Sequence, residues 1–232
     1  NMVLPIVGGN ESKGYDITNS LRFNNDDSPH LTFTPSSAGN RRTFTLSVWF
    51  KLSAVASTGE RVILAADDGT GSNNNFDYIA INGNDKLFVY GYEGSENQQL
   101  ISTQVFRDPS AWYHLVVAFD TTDGTASNRI KAYVNGNQIT DFDTANYPSQ
   151  NFQTRFNNNN AQRISSYPDQ DTSYFDGYMC EYHLVDGSQL APTSFGEFDN
   201  NGVWKPIKYD GSYGTNGFFL EFKQTGTSAN SS

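Results

Sequence analysis

The sequence has few features that could cross-link the chain or carry it through a membrane. Its single cysteine, Cys180, cannot form an intrachain disulfide, so packing must hold the fold together. No stretch approaches the roughly 20 consecutive apolar residues of a membrane helix. Because there is no such stretch, we expect a soluble protein that does not insert into membranes. Charged residues are also scarce, at 17% of the 232 residues.

Positive charge is in short supply. The chain has 25 Asp and Glu against 15 Lys and Arg, which gives a formal net charge of -10. A nucleic-acid backbone would be repelled by this balance, and no stripe of lysine or arginine offers a local exception. The composition thus argues against a nucleic-acid partner.

Short apolar runs separated by Gly, Asn, Ser and Thr are what the chain has in quantity. Thr43–Leu52 alternates apolar with mostly polar residues, the period of a half-buried strand. The run from Ile130 to Val134 alternates in the same way, and Asn135-Gly136 supplies the positive φ angles of a tight hairpin turn. This pattern predicts an all-β fold, an antiparallel β-sandwich with little helix.

The same pattern suggests how the chain is divided. Residues 1–15 lack periodicity and are expected to form an N-terminal arm, residues 16–223 one β domain, and residues 224–232 a polar tail. Residues 20–23 and 30–33 are predicted to pair as a terminal hairpin. Residues 151–160, which end in four consecutive asparagines, are predicted to be a long loop.

Several motifs identify a family when they are taken together. Trp112-Tyr113-His114 precedes an apolar strand, and Arg129 leads to Tyr133-Val134-Asn135-Gly136; Phe175-Asp176-Gly177-Tyr178 and Trp204-Lys205-Pro206 follow. The chain resembles the laminin-G-like, pentraxin-type branch of the concanavalin A-like jelly rolls, of the kind found in virion proteins of tailed phages. The resemblance implies a jelly-roll sandwich that holds a surface ligand. It also implies a virion location, other virion proteins as partners, and a homotrimer as one arrangement.

Three functions remain open on this reading. The first is a non-enzymatic recognition module that binds glycans or cell-surface ligands from a fibre, spike or capsid appendage. The second is a purely architectural capsid or tail decoration protein. The third is a polysaccharide-cleaving enzyme, which needs two carboxyl groups that reach into one cleft. Asp141 and Asp143 have a suitable alternate spacing, but the E-x-D-x-x-E run typical of jelly-roll glucanases is absent. We expect solvated edge carboxylates there and no catalysis.

Tyrosines beside predicted loops are candidates for ligand binding. Aromatic rings stack on the C–H faces of sugars, while Asn and Asp can bond the hydroxyl groups. Most of the rings must lie in the core. Four lie next to loops and are predicted to face ligand, namely Tyr92, Tyr147, Tyr167 and Tyr174.

Two acidic loops are candidates for calcium binding. Asp67 and Asp68 precede a Gly-Thr-Gly segment, and Asp120 and Asp123 flank two threonines before Gly124. Calcium takes six to eight hard oxygen ligands, which carboxylates and loop carbonyls supply. Asp-Gly pairs are equally typical of turns without metal, so ordinary turn chemistry is the alternative explanation.

The histidines and the cysteine are predicted to be structural. His30, His114 and His183 have no metal-ligand spacing to one another or to the cysteine. Cys180 and His183 are three residues apart, which in a regular strand turns their side chains to opposite faces. A buried, unreactive thiol is therefore expected.

Overall fold

The computed structural model describes residues 15–55, 59–71, 74–168 and 172–223. Nearly all of the predicted arm and the whole predicted tail lie outside these residues. The described chain is all-β, and its helical residues belong to three single 3-10 turns. Its strands in chain order are β1 (Leu21–Phe23), β2 (Leu31–Phe33), β3 (Thr43–Leu52), β4 (Arg61–Asp67), β5 (Asn75–Ile81), β6 (Lys86–Glu93), β7 (Glu96–Val105), β8 (Tyr113–Asp120), β9 (Ile130–Val134), β10 (Asn137–Ile139), β11 (Phe142–Asn146), β12 (Gln162–Ile164), β13 (Gly177–Asp186), β14 (Gly196–Phe198), β15 (Trp204–Pro206) and β16 (Phe218–Leu220).

Two antiparallel sheets pack face to face. The first sheet has the order β1-β13-β3-β8-β9-β10, with β16 also paired to β13. The second has the order β11-β7-β6-β5-β4-β12-β2, and β14 and β15 form a separate small hairpin. The predicted all-β antiparallel sandwich is confirmed, and the predicted loop at residues 151–160 contains no strand.

The core lies between the two sheets and is formed by alternate residues of their strands. In β3, Phe44, Leu46, Val48 and Phe50 point inward and are completely buried. Inward residues from the other central strands complete one continuous apolar cluster, in which Phe44 stacks on Phe119 of β8 with ring centroids 4.4 Å apart. Burial of this apolar cluster supplies most of the driving force for folding, since the single cysteine forms no disulfide.

The pairing of the first two strands differs from the prediction. β1 pairs with β13 in the first sheet, whereas β2 pairs with β12 in the second. The turn-rich connector between them therefore crosses from one sheet to the other instead of closing a hairpin. Both partners come from distant parts of the chain, and local turn signals carry no information about such pairings.

A β-bulge in β13 overturns a second expectation. The pairing with β3 shifts between Cys180, opposite Trp49, and His183, opposite Ser47, and the intervening Glu181 has a φ of 47°. The extra residue returns Cys180 and His183 to the same face of the sheet, the one opposite the core. The thiol is nevertheless buried, and burial raises its pKa to about 12, so the predicted unreactive thiol stands.

The segment after β13 covers part of the outer face of the first sheet. Trp204 of β15 donates its indole N–H to His114 Nδ1 at 2.9 Å, and His114 Nε2 lies 2.8 Å from Ser47 Oγ. Because Nδ1 accepts, the ring proton is on Nε2 and is donated to Ser47. Burial, followed by repulsion from His183, lowers the pKa of His114 to about 3, which keeps the ring neutral. His114 is thus a structural residue, as predicted.

One buried carboxyl group lies on the core side of the second sheet. Asp77 of β5 accepts hydrogen bonds from the side-chain amide of Gln98 at 2.8 Å and from the backbone N–H of Arg155 at 2.5 Å. Burial raises the pKa of Asp77 to about 7, although these bonds and the Arg155 cation act in the opposite direction. The carboxyl group therefore titrates near neutrality in the folded protein.

This shift predicts a pH dependence of stability that an Asp77→Asn variant should lose. Between about pH 4 and pH 7 the folded protein holds a proton on Asp77 that the unfolded chain has released. The contribution of this proton to the free energy of unfolding is full below the ordinary pKa of 3.8, and it is lost as the pH rises through about 7. It amounts to about 1.4 kcal/mol per unit of pKa shift. In urea unfolding at several pH values, the free energy of unfolding of the wild type should fall relative to that of Asp77→Asn as the pH rises from about 4 to about 7. A difference between the two proteins that does not change with pH would contradict the raised pKa of Asp77.

Among the described residues, no helix has the length and apolar character needed to span a bilayer.

Candidate ligand-binding surface

The outer face of the second sheet carries a patch of aromatic side chains. Phe76 and Tyr78 of β5 and Phe88, Tyr90 and Tyr92 of β6 occupy alternate positions, and the pairing of the two strands puts them on one side. The intervening residues Asp77, Leu87 and Val89 point into the sandwich and are buried. Tyr167, from the chain after β12, packs against the same group. We call these six residues the aromatic face.

The rings of the aromatic face touch one another in a continuous series. Phe76 lies 5.9 Å from Tyr92 and 6.0 Å from Tyr90, measured between ring centroids, and Tyr78 lies 5.3 Å from Phe88. Tyr167 covers Tyr78 at 5.0 Å. Tyr78 is buried under Tyr167, whereas the other five rings remain partly exposed. These contacts hold the rings in place, so that a ligand would not need to order them on binding.

Polar groups lie beside the rings on both sides of the patch. Gln99 of β7 is opposite Tyr90, and Asn146 of β11 is opposite Gln99, so amides follow the rings across one side of the face. On the other side, Arg163 of β12 donates a hydrogen bond to the backbone carbonyl of Tyr167 at 3.1 Å. Apolar rings bordered by amides and a guanidinium form the mixed surface that a sugar chain requires.

Three phenol groups of this face, those of Tyr78, Tyr90 and Tyr167, have a raised pKa and remain neutral at ordinary pH. Burial is the largest cause of the shift in each of them. A neutral phenol both donates and accepts hydrogen bonds, whereas a phenolate only accepts. The hydroxyl groups of the partly exposed Tyr90 and Tyr167 are therefore suited to bonding with uncharged hydroxyl groups on a ligand.

The four predicted ligand tyrosines do not form one group. Tyr92 and Tyr167 both belong to the aromatic face, where Phe76 touches each of them. Tyr147 instead packs against the main core, and Tyr174 lies beside His30 with ring centroids 6.3 Å apart. The structure therefore assembles two of the four predicted residues into one surface.

Most of the aromatic face was not predicted from the sequence. Phe76, Tyr78, Phe88 and Tyr90 were not among the four tyrosines predicted to face ligand. The missing signal is that both strands place rings at every second position around a four-residue connector, which brings the two rows of rings to the same side. Proximity to loops does not select these four rings, because they lie along the strands.

The predicted calcium residues are engaged in turns. Asp68 accepts hydrogen bonds from the Thr70 backbone N–H and hydroxyl through Oδ1, and from Asn75 through Oδ2. Asp120 Oδ1 similarly accepts from the N–H and hydroxyl of Thr122. Burial favours a higher pKa for Asp68, but the bonds from Thr70 and Asn75 outweigh it and the pKa is lowered. These are the bonds by which aspartate stabilises a tight turn without metal.

The other two aspartates have comparable roles. Asp67 Oδ1 accepts from the Gly69 N–H at 2.9 Å, and Asp123 Oδ1 accepts from the Thr125 N–H at 2.7 Å. Within the part of the chain that the structure describes, no three His, Cys, Asp or Glu side chains come together in a metal-binding group. These side chains alone do not form a calcium site, and an ion here would depend on backbone carbonyl oxygens and water.

The carboxylates considered for catalysis lie at the edge of the second sheet. Asp143 of β11 forms an ion pair with Lys86 of β6, and Asp141 is exposed just before β11. Asp141 uses its backbone carbonyl to bind Thr103. Neither side chain has a carboxyl partner across a cleft in the interactions of the described residues.

The β-sandwich agrees with the family that the sequence matches. Residues 24–191 match the model of a laminin G family described as the concanavalin A-like lectin/glucanases superfamily. The chain belongs to this superfamily. The match covers more than half of the chain and confirms the laminin-G-like part of the resemblance. No curated protein matches this concanavalin A-like domain in sequence.

Solved structures share the fold at low identity. The heptameric SAP-like pentraxin of Limulus polyphemus is 16% identical, with a TM-score of 0.54 over 77% of this chain and 80% of the pentraxin. Domains LG4-5 of the mouse laminin alpha1 chain are 10% identical, with a TM-score of 0.49 over 90% of this chain and 49% of the laminin chain. The similarity to the pentraxin shows a shared fold, and a shared fold does not by itself transfer a ligand.

Proposed function

We propose that this protein is a non-enzymatic recognition module that binds glycans through the aromatic face. The observation that carries the proposal is the continuous row of partly exposed rings on β5 and β6, bordered by Gln99, Asn146 and Arg163. Apolar surface of this kind is unfavourable in water unless a partner covers it. A sugar chain offers C–H faces to the rings and hydroxyl groups to the bordering amides.

Several parts of the structure favour binding over cleavage. Asp143, one of the two carboxyl groups considered for catalysis, is paired with Lys86 at the sheet edge, and Glu96 beside the aromatic face accepts a hydrogen bond from Asn146. A glycosidase needs one carboxyl group as acid and another as base or nucleophile across the scissile bond. The absence of catalysis is therefore part of our proposal, and the release of new reducing ends from any bound polysaccharide would contradict it.

The biological setting that we propose rests on the laminin-G-like motifs alone. It is the virion of a tailed phage, in which the domain would belong to a fibre, spike or capsid appendage and contact other virion proteins. A homotrimer is the arrangement that such an appendage would favour. Mass measurement of the purified chain, together with detection of the protein in particles, tests this setting separately from ligand binding.

An architectural role as a decoration protein is the alternative, and one observation favours it. Phe198 and Val203, at the β14–β15 hairpin, are 50% and 53% exposed, among the most exposed large apolar residues of the described chain. Exposed apolar side chains on a hairpin are suited to contact with another protein. In that role the aromatic face would be covered by a partner instead of a sugar.

Affinity electrophoresis through gels that contain microbial surface polysaccharides, together with a glycan array, tests the proposal. We expect at least one neutral polysaccharide to retard the full chain, and the retardation to be reversed by the free oligosaccharide. Blank results in both assays, combined with stable copurification with virus particles, would favour the architectural role.

We also propose calcium as a ligand of the loops that hold Asp67, Asp68, Asp120 and Asp123, with backbone carbonyls completing the coordination. A site that is about 90% occupied at millimolar calcium would stabilise the fold by roughly 1.4 kcal/mol. The melting temperature should rise by a few degrees with calcium and should rise less in an Asp68→Asn, Asp120→Asn double variant. Calorimetry without heat, together with an unchanged melting temperature, would remove calcium from the proposal.

A further inference from the structure

A second group of exposed rings lies on the opposite sheet. Trp112, just before β8, and Tyr178 of β13 are each 37% exposed, and their ring centroids are 6.5 Å apart. Both lie on the outer face of the first sheet, beyond the part that Trp204 covers. Trp112 lines a hollow of about 310 Å³, together with Trp49, Cys180, Ser20 and residues 17–19.

The register of the strands explains why a hollow forms here. Cys180 of β13 is opposite Trp49 of β3, and Ser20 directly precedes β1, whose Leu21 is opposite Met179. Two small side chains, Ser20 and Cys180, therefore lie next to large indole rings on one face. Both small residues line the hollow together with Trp49, Trp112 and residues 17–19, with Cys180 buried and Ser20 exposed. Burial keeps the Cys180 thiol protonated by raising its pKa to about 12, so this part of the lining is uncharged.

The surroundings of the hollow combine apolar and polar groups. Thr18 and Asn19 lie on its rim, where the Asn19 amide donates to the Thr18 hydroxyl at 3.0 Å. Next to it, the guanidinium of Arg22 lies 5.3 Å from the centre of the Tyr178 ring and bonds Asp176 at 3.0 Å. The cation–π contact holds the Tyr178 ring beside Trp112, and the ion pair with Asp176 offsets the charge of Arg22.

We propose that this hollow is a second binding site, which takes one uncharged pyranose ring. Its volume is at the lower end of the range of about 300 to 1,000 Å³ for small-molecule sites, which fits a single ring better than a chain. The exposed indole of Trp112 offers a stacking surface, and the hydroxyl and amide groups of Thr18 and Asn19 are within the lining to bond sugar hydroxyls. No carboxylate lines the hollow in the described residues, which suits a neutral ligand.

This site is independent of the aromatic face. The two surfaces lie on the outer sides of opposite sheets, with the whole core between them. Each can therefore be occupied without blocking the other. One molecule that holds a chain on one side and a terminal sugar on the other would bridge two glycans, and avidity would then exceed the affinity of either site.

The test uses the full chain and saturation-transfer NMR with four methyl pyranosides, those of glucose, galactose, mannose and N-acetylglucosamine. We expect transfer to at least one of them. A Ser20→Phe substitution should abolish it, because the new ring fills the hollow from an exposed position and leaves the core unchanged. Thr32→Phe is the matched control, since Thr32 is, like Ser20, an exposed residue with a side-chain hydroxyl group, but lies in β2 on the other sheet. It should bind as wild type does.

A second variant removes the stacking ring instead of filling the hollow. Trp112→Ala should weaken binding of the same pyranoside about tenfold, and Trp112→Phe should restore part of the loss. All of these measurements are made in a Tyr90→Ala, Tyr92→Ala background, which removes transfer from the aromatic face, so that the remaining signal reports on the hollow alone. The proposal is overturned if no pyranoside shows transfer, or if the transfer persists in Ser20→Phe.

Discussion

Replacing Tyr90 and Tyr92 together with alanine is expected to weaken polysaccharide binding by about 30-fold. Both rings belong to the aromatic face, where Phe76 contacts each of them. Each stacking ring contributes about 1 kcal/mol beyond simple area burial, and 2 kcal/mol corresponds to a factor of about 30 in the dissociation constant. The measurement is calorimetric titration with the oligosaccharide that best reverses retardation in the gels. Both side chains are partly exposed, so the variant should remain folded.

Tyr174→Ala provides the matched control for this double variant. Tyr174 is also a partly buried tyrosine, but it lies beside His30 and away from the aromatic face. Its loss should leave the affinity within about twofold of wild type. If Tyr174→Ala abolishes binding and the double variant does not, the ligand surface has been placed on the wrong part of the molecule.

The largest expected effect on stability comes from Asp85→Asn. Asp85 is fully buried in the connection between β5 and β6. It bonds the buried guanidinium of Arg61 at 2.6 Å and the exposed guanidinium of Arg107 at 3.1 Å. Removing its charge leaves the Arg61 cation buried without its counter-ion, which typically costs about 3 to 5 kcal/mol. Asparagine preserves the shape and tolerates the φ of 61° at this position. The free energy of unfolding in urea is the quantity to measure.

An Arg107→Gln variant separates the buried pair from the exposed one. The Arg107 side chain is 58% exposed, so water screens its attraction to Asp85 and its loss should cost less than about 1 kcal/mol. Equal losses in the two variants would show that the Arg61–Asp85 pair has no special weight. A large loss in Asp85→Asn alone would support the buried pair as the anchor of the β5–β6 connection.

The sandwich was predictable because the alternation of apolar and polar residues within a strand shows which side of it faces the core. In β3, every second residue from Phe44 to Leu52 is apolar, and all of these residues are buried. Pairings between distant strands were not predictable in the same way. The partners of β1 and β2 depend on where β12 and β13 lie, and the bulge at Glu181 leaves no mark in the composition of its strand.

The candidate surfaces were predictable in part. Tyr92 and Tyr167 were chosen because they flank loops, yet they belong to a ring system that Phe76 and Tyr78 join along the strands. The hollow at Trp112 was harder to foresee, because it needs Ser20 and Cys180, 160 positions apart, to lie side by side. Only the three-dimensional pairing of β1 with β13 brings them together.

The cover formed by the chain after β13 bears on how the domain should be cut for expression. The family match ends at residue 191, but Phe195, Tyr209 and Tyr213 beyond it pack on the first sheet with Val116, Val185 and His183. Trp204, also beyond the match, packs on Trp49 and His114. A fragment that stops at the end of the match would expose the indole of Trp49 and the His114–Ser47 pair to water. Such a fragment would be prone to aggregate, and a useful expression boundary lies after β16.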